Sequence, residues 1–325
     1  MTWTREQTEK KSSFRSAYTE TLAELIPQDP RLMVLEADLM KSSATDSLFT
    51  RFPDRCINFG ISEANMISAA GGMAKTGLLP LAHSFAPFVT RRALDQLYMS
   101  VAYSNNPLFI YGSDCGLWSQ RNGGTHSANE DLAVMRALPN TLVFDPSDPI
   151  QFRWLIKQYG QRPGLYYVRS GRKNDIKHLY TEDSTFEIGK AIVLHQGQSN
   201  VAFIAAGMMV HEALAAATTL QAQNIDPTVV DCFSLKPYDA ALIQHLIATH
   251  DVIVVAENAS SIGGLGSLVA LEMAKAEHHP KFRHLAIPDA FGEVGSLEFL
   301  QAKFKLRAED IVQATLSALT PKGAL

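Results

Sequence analysis

Apolar positions along this chain fall into two kinds of run, and the two alternate. Residues 31–36 (RLMVLE), 107–111 (PLFIY), 141–144 (TLVF) and 165–168 (LYYV) are short and nearly continuous, the pattern of strands buried on both faces. Longer amphipathic stretches lie between them. The spacing predicts a helix over 14–25 and another over 63–74, with Ser62 as its expected N-cap. Asp148-Pro149 predicts a third helix, capped by the aspartate and carrying proline at its first position. The pattern lapses at 170–186 (SGRKNDIKHLYTEDSTF), which is polar and aperiodic. It resumes with predicted strands at 201–205, 228–230 and 252–256. The expected fold is two consecutive α/β domains with largely parallel sheets. The expected boundaries are 1–175, a linker at 176–188, and 189–325.

Composition narrows the class. The 325 residues are 46% hydrophobic and 19% charged, enough apolar material for two cores. Twenty-nine basic and 33 acidic side chains give a formal charge of −4, with no basic excess for nucleic acid and no polybasic stretch for a membrane surface. Cys56, Cys115 and Cys232 form neither a disulfide framework nor a zinc spacing. The first 15 residues (MTWTREQTEKKSSFR) lack the apolar core of a signal peptide, and no apolar run approaches the length of a membrane span. A cytoplasmic location is expected.

In open α/β sheets ligands gather at the carboxyl ends of strands. Four loops of the first domain are expected there: 37–45, 82–88, 112–127 and 170–174. They are dense in Asp, Ser, His, Asn, Phe and Arg. Glu63, in CINFGISEANM, places a carboxylate where the chain is about to be buried. It either complements the dipole of its helix or meets a ligand. Phe85 and Phe88, in HSFAPF, are core residues or a stacking platform for a heterocycle. Asp114, Arg121, Asn122, Thr125 and His126 share a glycine-rich loop of the length that is more often functional than ornamental. The segment IGGLGS (262–267) follows a strand as phosphate loops do, but its spacing is not G-x-G-x-x-G and no lysine follows. It is read as a structural turn. No G-x-S-x-G elbow supports a hydrolase.

Taken together, these segments resemble the C-terminal half of transketolase, which uses thiamine diphosphate. The resemblance runs through GISEANM, SFAPF, Arg92-Ala-Leu-Asp95-Gln96, GGTH and Asn129-Glu130-Asp131, and continues in SLKPYD, SSIGGLGS and DAFGEVGS. It implies a pyrimidine-binding domain followed by the family's C-terminal domain. It also implies that Glu63 hydrogen-bonds N1′ of the cofactor's aminopyrimidine and favours the imino tautomer, whose nitrogen deprotonates the thiazolium carbon. An apolar setting would help this carboxyl hold a proton. By the same resemblance Phe88 stacks on the pyrimidine with Phe85 nearby, Asp38 lies close to the cofactor, and His126 contacts substrate oxygens. The implied reaction moves a two-carbon ketol unit from a ketose to an aldehyde.

Such enzymes hold the diphosphate and Mg²⁺ with a G-D-G segment, which this chain lacks. A partner subunit is therefore expected to supply that site, with no metal ligand here and a heterotetramer as the assembly. Two departures concern the sugar. Asn122 replaces an acid that would contact a donor hydroxyl. Asp114 replaces a histidine often used for phosphate, and it would repel phosphate unless a cation such as Arg121 neutralised it. Arg172, Ser42 and Arg15 match phosphate-contacting positions. A sugar phosphate and an unphosphorylated or modified ketose both remain open. The competing identities are the beta subunit of a 2-oxo acid dehydrogenase thiamine component and a non-catalytic scaffold or regulatory subunit of this fold.

Overall fold

The computed structural model describes residues 1–6 and 9–320. Its first part carries strands β1 (Lys11–Ser13), β2 (Leu32–Glu36), β3 (Cys56–Asn58), β4 (Leu79–Phe85), β5 (Leu108–Ser113), β6 (Thr141–Phe144), β7 (Leu165–Ser170) and β8 (Asp175–Lys177). The second part carries β9 (Ile192–His195), β10 (Val201–Ala205), β11 (Thr228–Asp231), β12 (Ser234–Lys236), β13 (Val252–Ser260) and β14 (Lys281–Ile287). Six strands of the first part form a parallel sheet in the order β6-β7-β5-β4-β2-β3, and β12 joins its edge antiparallel to β6. The second sheet runs β14-β13-β10-β11-β9, parallel except for β9. This is the two-domain, largely parallel α/β architecture that the apolar pattern predicts.

The continuous apolar runs are explained by burial on both faces. Val34, Leu81 and Phe109 point to one layer, where they meet the helices Phe14–Leu25 and Pro149–Gln161. Met33, Leu35, Ala82 and Ile110 point to the other, where they meet the helix Glu63–Lys75. Asp148 caps its helix as expected, its Oδ1 accepting from the Gln151 amide at 2.9 Å. Ser62 does not cap Glu63–Lys75. Its hydroxyl donates to the Phe59 carbonyl at 2.8 Å, so it tightens the preceding turn instead. The small residues of that helix allow a close approach. A Cβ on Gly71 would lie 2.5 Å from the Ser100 carbonyl oxygen of the segment Leu97–Ala102.

The polar stretch after residue 170 is tied to the body. β8 pairs antiparallel with β1, Thr2 bridges Thr185, and Leu179, Tyr180 and Phe186 are buried. A buried polar seam joins the domains. Arg169, with no exposed surface, donates to Asp131 (2.7 Å), Asp145 (2.8 Å) and the Asn258 carbonyl (2.9 Å). Burial pushes the Asp145 carboxyl up to about 6, against the pull of Arg169. It pushes Asp148 up to about 7, against three backbone amides that draw it down. No helix is long and apolar enough to cross a membrane among the described residues.

Candidate functional site

Strand order decides which loops meet. β7, β5, β4, β2 and β3 are successive neighbours, and their registers bring Glu36 beside His83, Phe85 beside Ser113, and Ser113 beside Ser170. The carboxyl ends of these strands therefore form one rim. Beneath it lies a polar network that fixes three strand ends together. His83 Nδ1 is 3.0 Å from Glu36 Oε2, and its Nε2 is 3.0 Å from Ser113 Oγ. Ser43 and Thr45 donate to Glu36 Oε1 at 2.6 and 2.7 Å. The sequence pattern reads 82–88 as a loop because His83 and Ser84 make a poor strand interior. This network corrects that reading: β4 runs on to Phe85 because the histidine's polar atoms are satisfied inside the sheet.

Glu63 sits at this rim and is 1% exposed. Its surroundings are not purely apolar. Ser84 donates to Oε1 at 3.1 Å and Arg92 donates to Oε2 at 2.7 Å. Each oxygen keeps a further lone-pair direction for another donor. Arg92 also lies over the Phe88 ring, 4.1 Å from its centroid. His126 packs edge-on against Phe88 (5.2 Å) and Phe85 (6.0 Å), and the two phenyl rings are 5.9 Å apart. Thus Glu63, Phe85, Phe88 and His126, spread over 64 positions of sequence, stand in one aromatic-walled group. Phe85 is buried, whereas Phe88 and His126 are partly open.

The His126 loop leans on the second domain. A Cβ on Gly124 would lie 2.6 Å from the Gly292 carbonyl oxygen, and Asn129 Nδ2 donates to the Ala290 carbonyl at 3.2 Å. The glycines of GGTH and DAFGEVGS therefore permit a close crossing of two loops. The acids that follow are structural. Glu130 pairs with Arg91 at 2.9 Å, and Asp131 accepts from Arg169 and from Tyr167 (2.6 Å).

A second cluster lies just beyond Phe85. Arg172 lies over that ring at 4.9 Å and donates through Nε (3.1 Å) and Nη2 (2.8 Å) to a single oxygen, Asp114 Oδ2. Its Nη1 donates to the Ser42 carbonyl at 3.2 Å. The cation that neutralises Asp114 is thus Arg172, not Arg121, which is exposed. A cleft of about 360 Å³ opens over the pair, lined also by Arg121, Asn122 and Lys173. Arg15 stands beside this cluster through its backbone, its amide donating to the Arg172 carbonyl at 3.3 Å. Asp38 is exposed and its amide donates to Asn58 Oδ1 at 2.9 Å, which links it to the loop leading to Glu63 rather than to the cleft.

Arg92 and Ser84 are the contacts that residue-by-residue reasoning left without a role. The R-x-x-D-Q spacing contained Arg92, but nothing in it says which acid the guanidinium meets.

Two family models match the chain. The transketolase pyrimidine-binding domain covers residues 10–176, and the transketolase C-terminal domain covers residues 189–311. A 6-deoxy-6-sulfo-D-fructose transketolase subunit SqwH from a Clostridium species is 38% identical over 92% of both chains. A putative transketolase C-terminal section from Methanocaldococcus jannaschii is 35% identical, over 94% of this chain and 96% of that one. By contrast, a 1-deoxy-D-xylulose-5-phosphate synthase from Dictyoglomus thermophilum (29% identical) matches 97% of this chain over only 50% of its own length. Among solved structures, a split-gene transketolase described as an inactive β4 tetramer superposes with a TM-score of 0.85 at 36% identity, covering 95% of this chain and 99% of that one. The chain belongs to the transketolase family and carries its pyrimidine-binding and C-terminal domains as one unit of the length found in split subunits.

Proposed function

We propose that this chain is the pyrimidine-side subunit of a two-subunit transketolase, which transfers a two-carbon ketol unit from a ketose to an aldehyde with thiamine diphosphate and Mg²⁺. The observation that carries the reading is the buried Glu63 carboxylate beside the Phe85, Phe88 and His126 rings. A flat heterocycle with a ring nitrogen needs an aromatic wall and an acid at its edge, and this group supplies both. The cofactor, when bound, supplies the carbanion chemistry. Glu63 holds or shares the proton at N1′ of the aminopyrimidine, through the lone pairs that Ser84 and Arg92 leave free. Phe88, with Phe85 behind it, orients the ring. His126, with Nδ1 2.8 Å from the Thr125 hydroxyl, offers its other ring nitrogen to substrate oxygens.

Diphosphate and Mg²⁺ fall to a partner that carries the G-D-G segment, and the assembly is a heterotetramer. The relative described as an inactive β4 tetramer favours this division, since it is a transketolase chain assembled without activity. The donor is a ketose, and the Clostridium relative's sulfonated sugar makes an unphosphorylated, modified ketose a reasonable class. Asp38, Ser42, Asn122 and Arg15 are assigned to the cofactor and sugar surroundings by the resemblance of their segments to the family's motifs.

The test is to assay ketose cleavage by the chain alone and mixed with its G-D-G partner, with thiamine diphosphate and Mg²⁺ in both. Activity is expected only in the mixture. Turnover by the isolated chain would rule out the shared site, and pyruvate decarboxylation by the mixture would favour the dehydrogenase component instead.

A further inference from the structure

We propose that Asp114 sets the charge limit of the sugar terminus bound in the Arg172 cleft: the cleft takes a terminus with at most one negative charge and disfavours a phosphate dianion. This rests on the ketol-transfer reading and names the substrate class within it.

The argument begins with donors. A guanidinium has five N–H groups, and the edge formed by Nε and one Nη is a natural bidentate seat for an oxyanion. In Arg172 that edge is filled from within, because both nitrogens donate to Asp114 Oδ2. One N–H of Nη1 is spent on the Ser42 carbonyl. Two remain, one on each Nη. Among the described residues none donates to Asp114 Oδ1, and Asp114 lines the cleft. The subsite therefore presents an anionic acceptor next to two donors.

Three termini would fare differently there. A hydroxyl can accept from Arg172 and donate to Asp114. A singly charged tetrahedral group uses the two donors and meets a single repulsion, while the exposed Arg121 and Lys173 at the rim are screened by water and attract any anion only weakly. A phosphate dianion sets a second negative charge against Asp114, while the Arg172 guanidinium is already neutralised. Burial sharpens the effect. Asp114 is 4% exposed and Arg172 7% exposed, so water screens them little. Asp114 cannot easily turn aside, since its amide donates to the Ser170 carbonyl at 2.9 Å and its backbone is held at φ 59°. Arg172 lies 4.9 Å from the centroid of Phe85, whose ring is in turn 6.0 Å from that of His126, which puts the cleft beside the Glu63–Phe88–His126 group.

The experiment uses the complex of this chain with its partner and three ketohexose donors that differ only at C6: hydroxyl, sulfonate or phosphate. At pH 8 the phosphate ester is expected to show a kcat/KM about tenfold or more below the better of the other two. Asp114→Asn, which tolerates the same left-handed backbone, is expected to raise the phosphate ester selectively by a similar factor. A native preference for the phosphate ester, or an Asn variant that shifts all three donors alike, overturns the proposal. Calorimetric titration of the native complex with methanesulfonate and with inorganic phosphate at pH 8 decides the matter separately. Sulfonate should bind more tightly, and equal or tighter phosphate, or binding of neither, overturns the charge limit. If the complex turns over none of the donors, the ketol-transfer reading falls, while the titration still judges the subsite.

Discussion

Two buried carboxylates in this chain each meet the first turn of a helix, one in each domain, and they are held in opposite ways. Glu257, at the end of the apolar run of β13, reaches the turn after SSIGG. There Oε2 accepts from the Leu265 amide at 2.7 Å, and Oε1 accepts from the Gly266 amide and from His284 at 2.8 Å each. A Cβ on Gly264 would sit 2.0 Å from Oε2, so the glycine is what lets the acid in. The amides that a phosphate would use are thus already filled by the chain's own carboxylate. Glu63, equally buried, receives no such backbone donor among the described residues. It is held by one hydroxyl and one half-exposed guanidinium, both on rotatable side chains. Fixed amides make an acid part of the scaffold. Side-chain partners hold it in place and leave it able to engage a ligand.

The contrast can be broken by experiment. Glu63→Gln keeps the shape but cannot share a proton in the same way. The assembled complex is expected to lose about 10²–10⁴-fold in kcat, with an unchanged melting temperature. A clear loss of stability instead would make Glu63 a scaffold acid like its counterpart. Glu257→Gln should do the reverse. It sets an amide N–H₂ against helix amides and is expected to destabilise the fold by about 1–3 kcal/mol, with normal activity per folded molecule. Denaturant unfolding measured beside steady-state kinetics separates the two. Arg92→Gln should have the smallest effect, because its guanidinium is 44% exposed and water can replace it. A two- to fivefold loss in kcat/KM is expected, roughly the worth of a partly solvated ion pair. A loss far beyond that would mean that Arg92 touches the substrate itself.

Some of this was legible along the chain. The helix over 14–25 matches the structure because it buries one face at helical spacing, and the strands at 141–144 and 201–205 match because burial on both faces imposes unbroken apolar blocks. The Asp148 cap was legible too, since a cap is a contact between residues three apart. Ser62 carries the same local signal, yet its hydroxyl is claimed by a carbonyl three residues upstream. The boundary at 82–88 was misread because His83 looks unfit for a strand until Glu36 and Ser113, 47 and 30 residues away in sequence, satisfy its ring. Asp114 and Arg172 were each recognisable as candidates. That they neutralise each other was not, because Arg121 is far nearer in sequence.

The sequence by itself determined the two-domain α/β plan, the polar loops that gather at one rim of the first sheet, and the family, since these depend on local periodicity and on motifs of a few residues. Only the tertiary structure decided which charges are paired, which acid is sealed by backbone and which is left to side chains. Those outcomes depend on strand order and register, which bring together residues that no spacing along the chain relates.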